Sequence, residues 1–460
     1  MTRDPGDPGG SDSTGRTGRT GHTGHTRHSG HTGPTRNIDA ATDRALGLPV
    51  DLLDDPKAMR SAGRDLLSLA LLDARNHLLP ALAAFDAPGT PPGLRQQAWE
   101  TALRTGAWQA RWLLQVEVPA QVQGQAPTQA SIQTPNQTPT QAPAQAQTSV
   151  PGMPAVHGDA GRAWLAQVLE ASLDRLNEVR EAADSPALPD TLAPWHQALQ
   201  HEDRLTEKLA VLLQRTAPPP RSVRAPLWMP AQRWCLGSGA GRLPGVPYSE
   251  WGAEDVALPD FEIDAQPVNW QQFAEFAADG GYDRCDLWGE AGWAWLQNQP
   301  EARRAPRHVA QLMGGVLVQR GIGQPVSGPG HGPGPQATLQ RAAPGQAAMH
   351  VSRFEAQAWC RWAGRRLPAE PEWELAAASA SHRGFAWGDV HEWVSGSARP
   401  WAGAGSAPPG CLDLPPPAGS QGVMRGASFA TRRRWHHPKA RRYVPPGHDD
   451  AFCGFRSCAV

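Results

Sequence analysis

The sequence predicts a multidomain protein, with an N-terminal all-α four-helix bundle followed by an α+β domain rich in loops. Three observations carry this. The 460 residues exceed the roughly 100–200 that one domain usually holds. Four leucine-rich segments with helical periodicity precede residue 220. Beyond the proline-rich break "TAPPPRSVRAP" the texture changes to short extended pieces with many Trp and Gly.

Residues 1–55 read as a low-complexity tail. Its first 37 residues are a Gly/Thr/Arg/His repeat with too little apolar surface to offset the entropy of ordering. His22, His25, His28 and His31 recur within it every third residue, a spacing that repeat expansion explains better than a metal tract, because a flexible chain preorganises no geometry. The bundle is expected over 56–218. Its first helix runs through "RDLLSLALLDARNHLLPALAAF" and its second through "GLRQQAWETALRTGAWQARWLLQ". A Gln/Pro/Thr/Ala stretch at 119–151 cannot pack and interrupts the domain as a solvated loop. Trp164, Leu165, Val168, Leu169, Leu173 and Leu176 mark the third helix, and Trp195, Leu199, Leu205, Leu209 and Leu212 the fourth. The second domain is expected over 221–460, with two convincing helices, "NWQQFAEFAADGG" and "EAQAWCRWAGRR".

Composition narrows the function. The 43 Lys+Arg and 44 Asp+Glu nearly cancel, so no overall field would hold the chain to nucleic acid or an anionic membrane. No apolar run of about 18 residues is present, and the first residues lack the apolar core of a signal peptide. Six cysteines without regular spacing or a C-x-x-C pair read as reduced thiols. A cytoplasmic protein acting on small molecules is the expectation.

Five segments then occur in order: "FEIDAQPVNWQQFAEF", "HVSRFEAQAWCRWAGRRLPAEPEWELAA", "WGDVHEW", "VMRGASFA" and "FCGFRSCA". Together they resemble the formylglycine-generating-enzyme (sulfatase-modifying factor) family, which implies its C-type-lectin-like fold. Arg365, Arg366, Glu370, Glu372 and Glu374 surround Leu367 and Trp373 and suit charge-assisted bonds that pin loops. True formylglycine generators need a reactive cysteine pair after their R-G-G-S-W motif. Here "RGASFATRRRWHHPKARRYVPP" contains none, and Cys453 and Cys458 fall in or beside the closing motif as core thiols. A bundle ahead of this domain resembles the DinB-like bundle of the ergothioneine sulfoxide synthases and the related selenoneine synthases. The stretches "LLSLALLDARNHLLPALAAF", "EAGWAWLQ" and "RRAPRHVAQLMGGVLVQR" lean towards the selenoneine branch.

That resemblance implies Fe(II) held by three bundle histidines, two of them spaced as H-E-x-x-H so that both face one ion. The segment here is "HEDRLTEKLA": His201 matches, but Leu205 stands in the second ligand position and has no lone pair to donate. The remaining ligand position falls on Ala107 in "RTGAWQARWLL". His196 lies about 140° around the helix from His201 and does not replace Leu205; His77 is a conceivable substitute donor. Relatives carry a tyrosine loop between "HEW" and "RGAS", whereas this chain has none there, and only Tyr248, Tyr282 and Tyr443 exist. In "GHDDAFCGFR" the resemblance implies substrate-binding roles for Asp450, towards an ammonium, and Arg456, towards a carboxylate. Arg425 reads as structural, and Trp435, His436 and His437 are candidates to line the same cleft.

Two functions follow. The first is iron-dependent, oxygen-using C–S or C–Se bond formation on trimethylhistidine, with a thiol or selenosugar as donor. The second is a non-catalytic descendant binding a small molecule or a partner through the same cleft.

Overall fold

The computed structural model describes residues 50–115, 158–179, 188–239, 243–300, 303–321, 338–414 and 419–460. The His-containing repeat and the Gln/Pro-rich stretch lie outside them. The described chain opens with a 3-10 turn, Val50–Asp54, inside the segment expected as tail.

The first leucine pattern splits into α1 (Pro56–Arg60) and α2 (Arg64–Ala83). Asp55 caps α1 by accepting from the Lys57 amide at 2.9 Å, and Pro56 suits the first helical position. The next three helices are α3 (Pro92–Trp112), α4 (Asp159–Asn177) and α5 (Leu188–Leu213). Leu67, Leu71, Ala74, Leu78 and Leu82 follow the helical period along α2 and are all fully buried, against Trp99 and Ala102 of α3, Leu165 of α4 and Leu199 and Leu209 of α5.

After residue 220 the strands are short: β1 (Leu227–Met229), β2 (Gln232–Gly239), β3 (Gly252–Leu258), β4 (Phe261–Ile263), β5 (Val309–Gln311), β6 (Leu317–Arg320), β7 (Thr338–Arg341), β8 (Arg365–Arg366), β9 (His391–Trp393), β10 (Gly422–Arg425), β11 (Arg441–Val444), β12 (Cys453–Phe455) and β13 (Cys458–Ala459). They form small sheets of order β1-β4-β13-β8, β11-β10-β9-β12, β2-β3 and β5-β6-β7. Strand β12 runs parallel to β9, placing Gly454 opposite Glu392 of the "HEW" motif.

Four helices accompany them, two more than the sequence pattern predicts: α6 (Trp270–Ala278), α7 (Gly289–Gln297), α8 (Arg353–Trp362) and α9 (Glu370–Ser379). The α7 segment hides behind two glycines, which are poor helix formers. In α9 nearly every side chain is buried, so no amphipathic period is visible. The two predicted helices start at capping boxes, Asn269 with Gln272 and Ser352 with Glu355.

Such short strands are pinned by ion pairs, some of them buried. Arg366 grips Glu372 through both Nη atoms at 2.7 and 2.8 Å, and Arg425 bridges Glu370 and Glu374. Cys453 and Cys458 are buried, and burial raises both thiols above the usual range, so they stay protonated core groups. Among the described residues no helix is long and apolar enough to cross a membrane.

Candidate functional site

Helix α5 has two polar faces, and the i, i+4 spacing decides what each meets. Inside the bundle, Glu202 is fully buried and pairs with Arg75 of α2, while Gln109 of α3 donates to the same carboxylate at 2.8 Å. Leu205 and Leu209 continue this inner face. The opposite face meets the loops of the C-terminal half. Asp203 takes the Arg434 guanidinium at 2.6 Å and the Trp435 indole N–H at 2.7 Å. Arg204 holds Asp413 with two bonds, 2.7 and 2.8 Å. Lys208 pairs with Asp450.

Glu207 is the hub of this seam. It accepts from Ser428 at 2.6 Å, Thr431 at 3.0 Å and Arg442 at 2.6 Å, and its Oε1 lies 2.7 Å from His391 Nε2. Burial alone would raise its carboxyl, but Arg442, His391 and the Ser428 hydroxyl outweigh that and hold it well below the usual carboxylate range. Burial, assisted by Arg442, lowers His391 in turn.

These groups border a partly open pocket of about 30 Å³, whose lining includes five arginines (Arg60, Arg204, Arg432, Arg441, Arg442) and three acids (Asp203, Glu207, Glu250). Each of these guanidinium groups is already engaged, Arg60 by Glu250, Arg204 by Asp413, Arg432 by Asp73, Arg441 by Glu370 and Arg442 by Glu207, so an anion entering the cavity would compete with these carboxylates.

His201 sits on the same helix, its ring stacked on Trp108 with centroids 4.4 Å apart and planes 29° apart. Its Nε2 is buried and has no hydrogen-bond partner. Burial, with Arg204 nearby, pushes its pKa down to about 3, so it is a neutral imidazole. Trp108 is fixed by its indole N–H, which donates to the Gly410 carbonyl at 2.9 Å. Gly410 has φ +74°, and a Cβ there would lie 2.8 Å from Trp112 Nε1 and 2.9 Å from Trp108 Nε1. Glycine is therefore required where the tyrosine-free loop reaches the bundle.

The Fe(II) implied by the resemblance does not fit these residues. Leu205 is 4% exposed and packs with Leu78, Leu82, Phe85 and Trp99; Ala107 is 5% exposed and offers no donor. His196 directs its Nε2 at the Ala62 carbonyl, 3.1 Å away, and His77 is half-exposed with its Nε2 on Arg432. Among the described residues no group of three His, Cys, Asp or Glu side chains is arranged to hold a metal.

The two residues expected to bind substrate are not brought together. Asp450 is partly exposed beside Lys208. Arg456 is fully buried, with its guanidinium taken by Glu392 (2.7 Å), the Asp264 carbonyl (2.8 Å) and the Ala386 carbonyl (2.7 Å). Four of the five N–H donors of Arg456 are engaged within the fold and its side chain is fully buried, so it sits as a scaffold ion pair with Glu392. Trp435 lines the charged cavity; His436 bonds the Thr431 carbonyl and His437 the Lys439 amide. Of the tyrosines, Tyr282 donates to Glu355 in the core, Tyr443 accepts from Arg441, and Tyr248 donates to the Gly405 carbonyl. None lines the charged cavity.

Glu207, Arg204, Arg441 and Arg442 were not singled out by the sequence reading. The i, i+4 recurrence of charge in "DRLTEK" is the one local hint for the helix residues.

Along this arginine-lined seam the helices before residue 220 pack against the short strands and loops that follow, within one compact unit, Leu48–Val460. A family profile described as "Sulfatase-modifying factor enzyme 1-like domain" matches residues 238–389. Hercynine oxygenase from Mycolicibacterium smegmatis is 26% identical over 368 residues, covering 63% of this chain and 77% of the relative. Hercynine oxygenase from Mycobacterium tuberculosis is 26% identical over 360 residues, 66% of this chain and 78% of the relative. Formylglycine-generating enzyme from Streptomyces coelicolor is 32% identical over 179 residues, 37% of this chain and 52% of the relative. The chain is thus similar to the ergothioneine-sulfoxide-synthase-like proteins and carries a formylglycine-generating-enzyme-like domain.

Proposed function

We propose that this chain is a hercynine-oxygenase-type protein that has kept the small-molecule cleft between a DinB-like bundle (56–218) and the domain at 221–460 without keeping an iron centre. It acts by binding a zwitterionic or anionic small molecule of the trimethylhistidine class. The observation that carries this reading is Leu205. The position one turn from His201 is filled by a side chain locked in the bundle core, so a second imidazole donor is missing and nothing beside it substitutes. The cleft is lined by Arg204 and Arg442, whose guanidinium groups are held by Asp413 and Glu207, so an anion would bind there by sharing or displacing those carboxylates.

A second reading, oxygen-dependent C–S or C–Se bond formation on trimethylhistidine with a thiol or selenosugar donor, is favoured by one feature, the bare buried Nε2 of His201. Calorimetric titration of trimethylhistidine into metal-stripped protein separates the two. Binding without metal supports the first reading; binding that appears only after anaerobic Fe(II) addition overturns it in favour of the second.

A further inference from the structure

Beside the charged seam lies a second pocket of different chemistry. It has a volume of about 380 Å³ and is bordered by Trp108, Trp112 and Trp251 together with prolines that include Pro408 and Pro409, and among the described residues its lining contains no charged one. The volume falls in the range of about 300–1,000 Å³ typical of small-molecule sites. It adjoins a chamber of about 20 Å³, with which it shares Ala193, Gln197, Pro244, Trp251 and Pro408.

Two bare acceptors border that chamber. His196 Nε2 faces the Ala62 carbonyl at 3.1 Å, and a carbonyl only accepts, so Nε2 carries the proton and Nδ1 presents a lone pair. That Nδ1 is buried with no protein partner, as is Gln197 Oε1. Burial pushes the His196 pKa down to about 4, which keeps the ring neutral near pH 7. A buried acceptor without a donor is costly; His196 Nδ1 lies against Gly245, whereas Gln197 also borders the larger pocket, so its Oε1 is the place for a ligand N–H. Trp108, Trp112 and Trp251 give the larger pocket an aromatic lining. An ammonium would also suit indoles, but with no carboxylate in the lining its desolvation would go uncompensated.

We propose that this pocket binds an uncharged heteroaromatic small molecule, with its ring N–H on Gln197 Oε1 and its ring against the tryptophan lining. The proposal does not rest on the reading of the arginine-lined cleft.

The test is calorimetric titration of the full chain with indole, 1-methylindole and tetramethylammonium, backed by ligand-observed NMR. Indole should bind, and 1-methylindole, which lacks the N–H, should bind about tenfold more weakly, as loss of one hydrogen bond implies. Gln197→Leu should narrow that difference. Trp112→Ala, at the partly exposed end of α3 where folding is not at risk, should weaken both indoles several-fold. Equal binding of the two indoles, tighter binding of tetramethylammonium, no binding of indole up to its solubility, or indifference to Trp112→Ala would each overturn the proposal.

Discussion

Glu207 on the last helix of the bundle and His391 in the "HEW" strand, 184 positions apart in the chain, meet through a 2.7 Å contact between Oε1 and Nε2. This pair and the ion pairs around it weld the bundle to the C-terminal half, so the cleft they border depends on both. Replacing Glu207 by Gln removes a charge that Arg442 and His391 face. It should destabilise the protein by about 3–5 kcal/mol, the usual result of unpairing one partner of a buried ion pair, read from urea unfolding at pH 7.

The buried histidines set a pH dependence. His196 titrates at about 4 when folded and near 6.5 when unfolded. The unfolded chain therefore binds the proton first, and stability present above pH 6.5 declines as pH falls towards 4. Between pH 7 and 5 this one residue should cost on the order of 2 kcal/mol. Urea unfolding at the two pH values should show a smaller loss in His196→Gln, because glutamine still offers the Ala62 carbonyl an N–H but does not titrate.

Arg75, Glu202 and Gln109 form a polar core inside the bundle. Arg75→Ala should cost about 3–5 kcal/mol by leaving Glu202 charged and unpaired, whereas Arg75→Met with Glu202→Leu should recover most of it. Melting temperatures of the three proteins check the order.

Restoring ligand atoms should restore metal affinity. Ala107→His with Leu205→His should bind Fe(II) more tightly than the parent, at a packing cost of about 1–3 kcal/mol for each buried site. An anaerobic Fe(II) titration of folded parent and double variant reads the difference directly.

Much of this was legible in the sequence. The leucine period located the bundle helices, since Leu67, Leu71, Leu78 and Leu82 are all buried. Among the charged motif residues, Arg366 and Glu372 pair within one segment, whereas Glu370 and Glu374 meet Arg425 of "VMRGASFA". The seam was not legible. Arg204 meets Asp413 and Asp203 meets Arg434 across more than 200 positions, and local spacing says nothing about such pairs. Arg456 misled for the opposite reason: a guanidinium near an acidic segment reads the same whether it faces a ligand or, as here, a buried glutamate.

Iron stoichiometry reads whether the loss of two of the three ligand positions, now Leu205 and Ala107, leaves the bundle unable to hold iron. Protein loaded anaerobically with Fe(II) and freed of excess metal by gel filtration should hold well under one iron per chain, with no change on His201→Ala. One iron per chain, lost on His201→Ala, would contradict the account and return the protein to the oxygen-using enzymes.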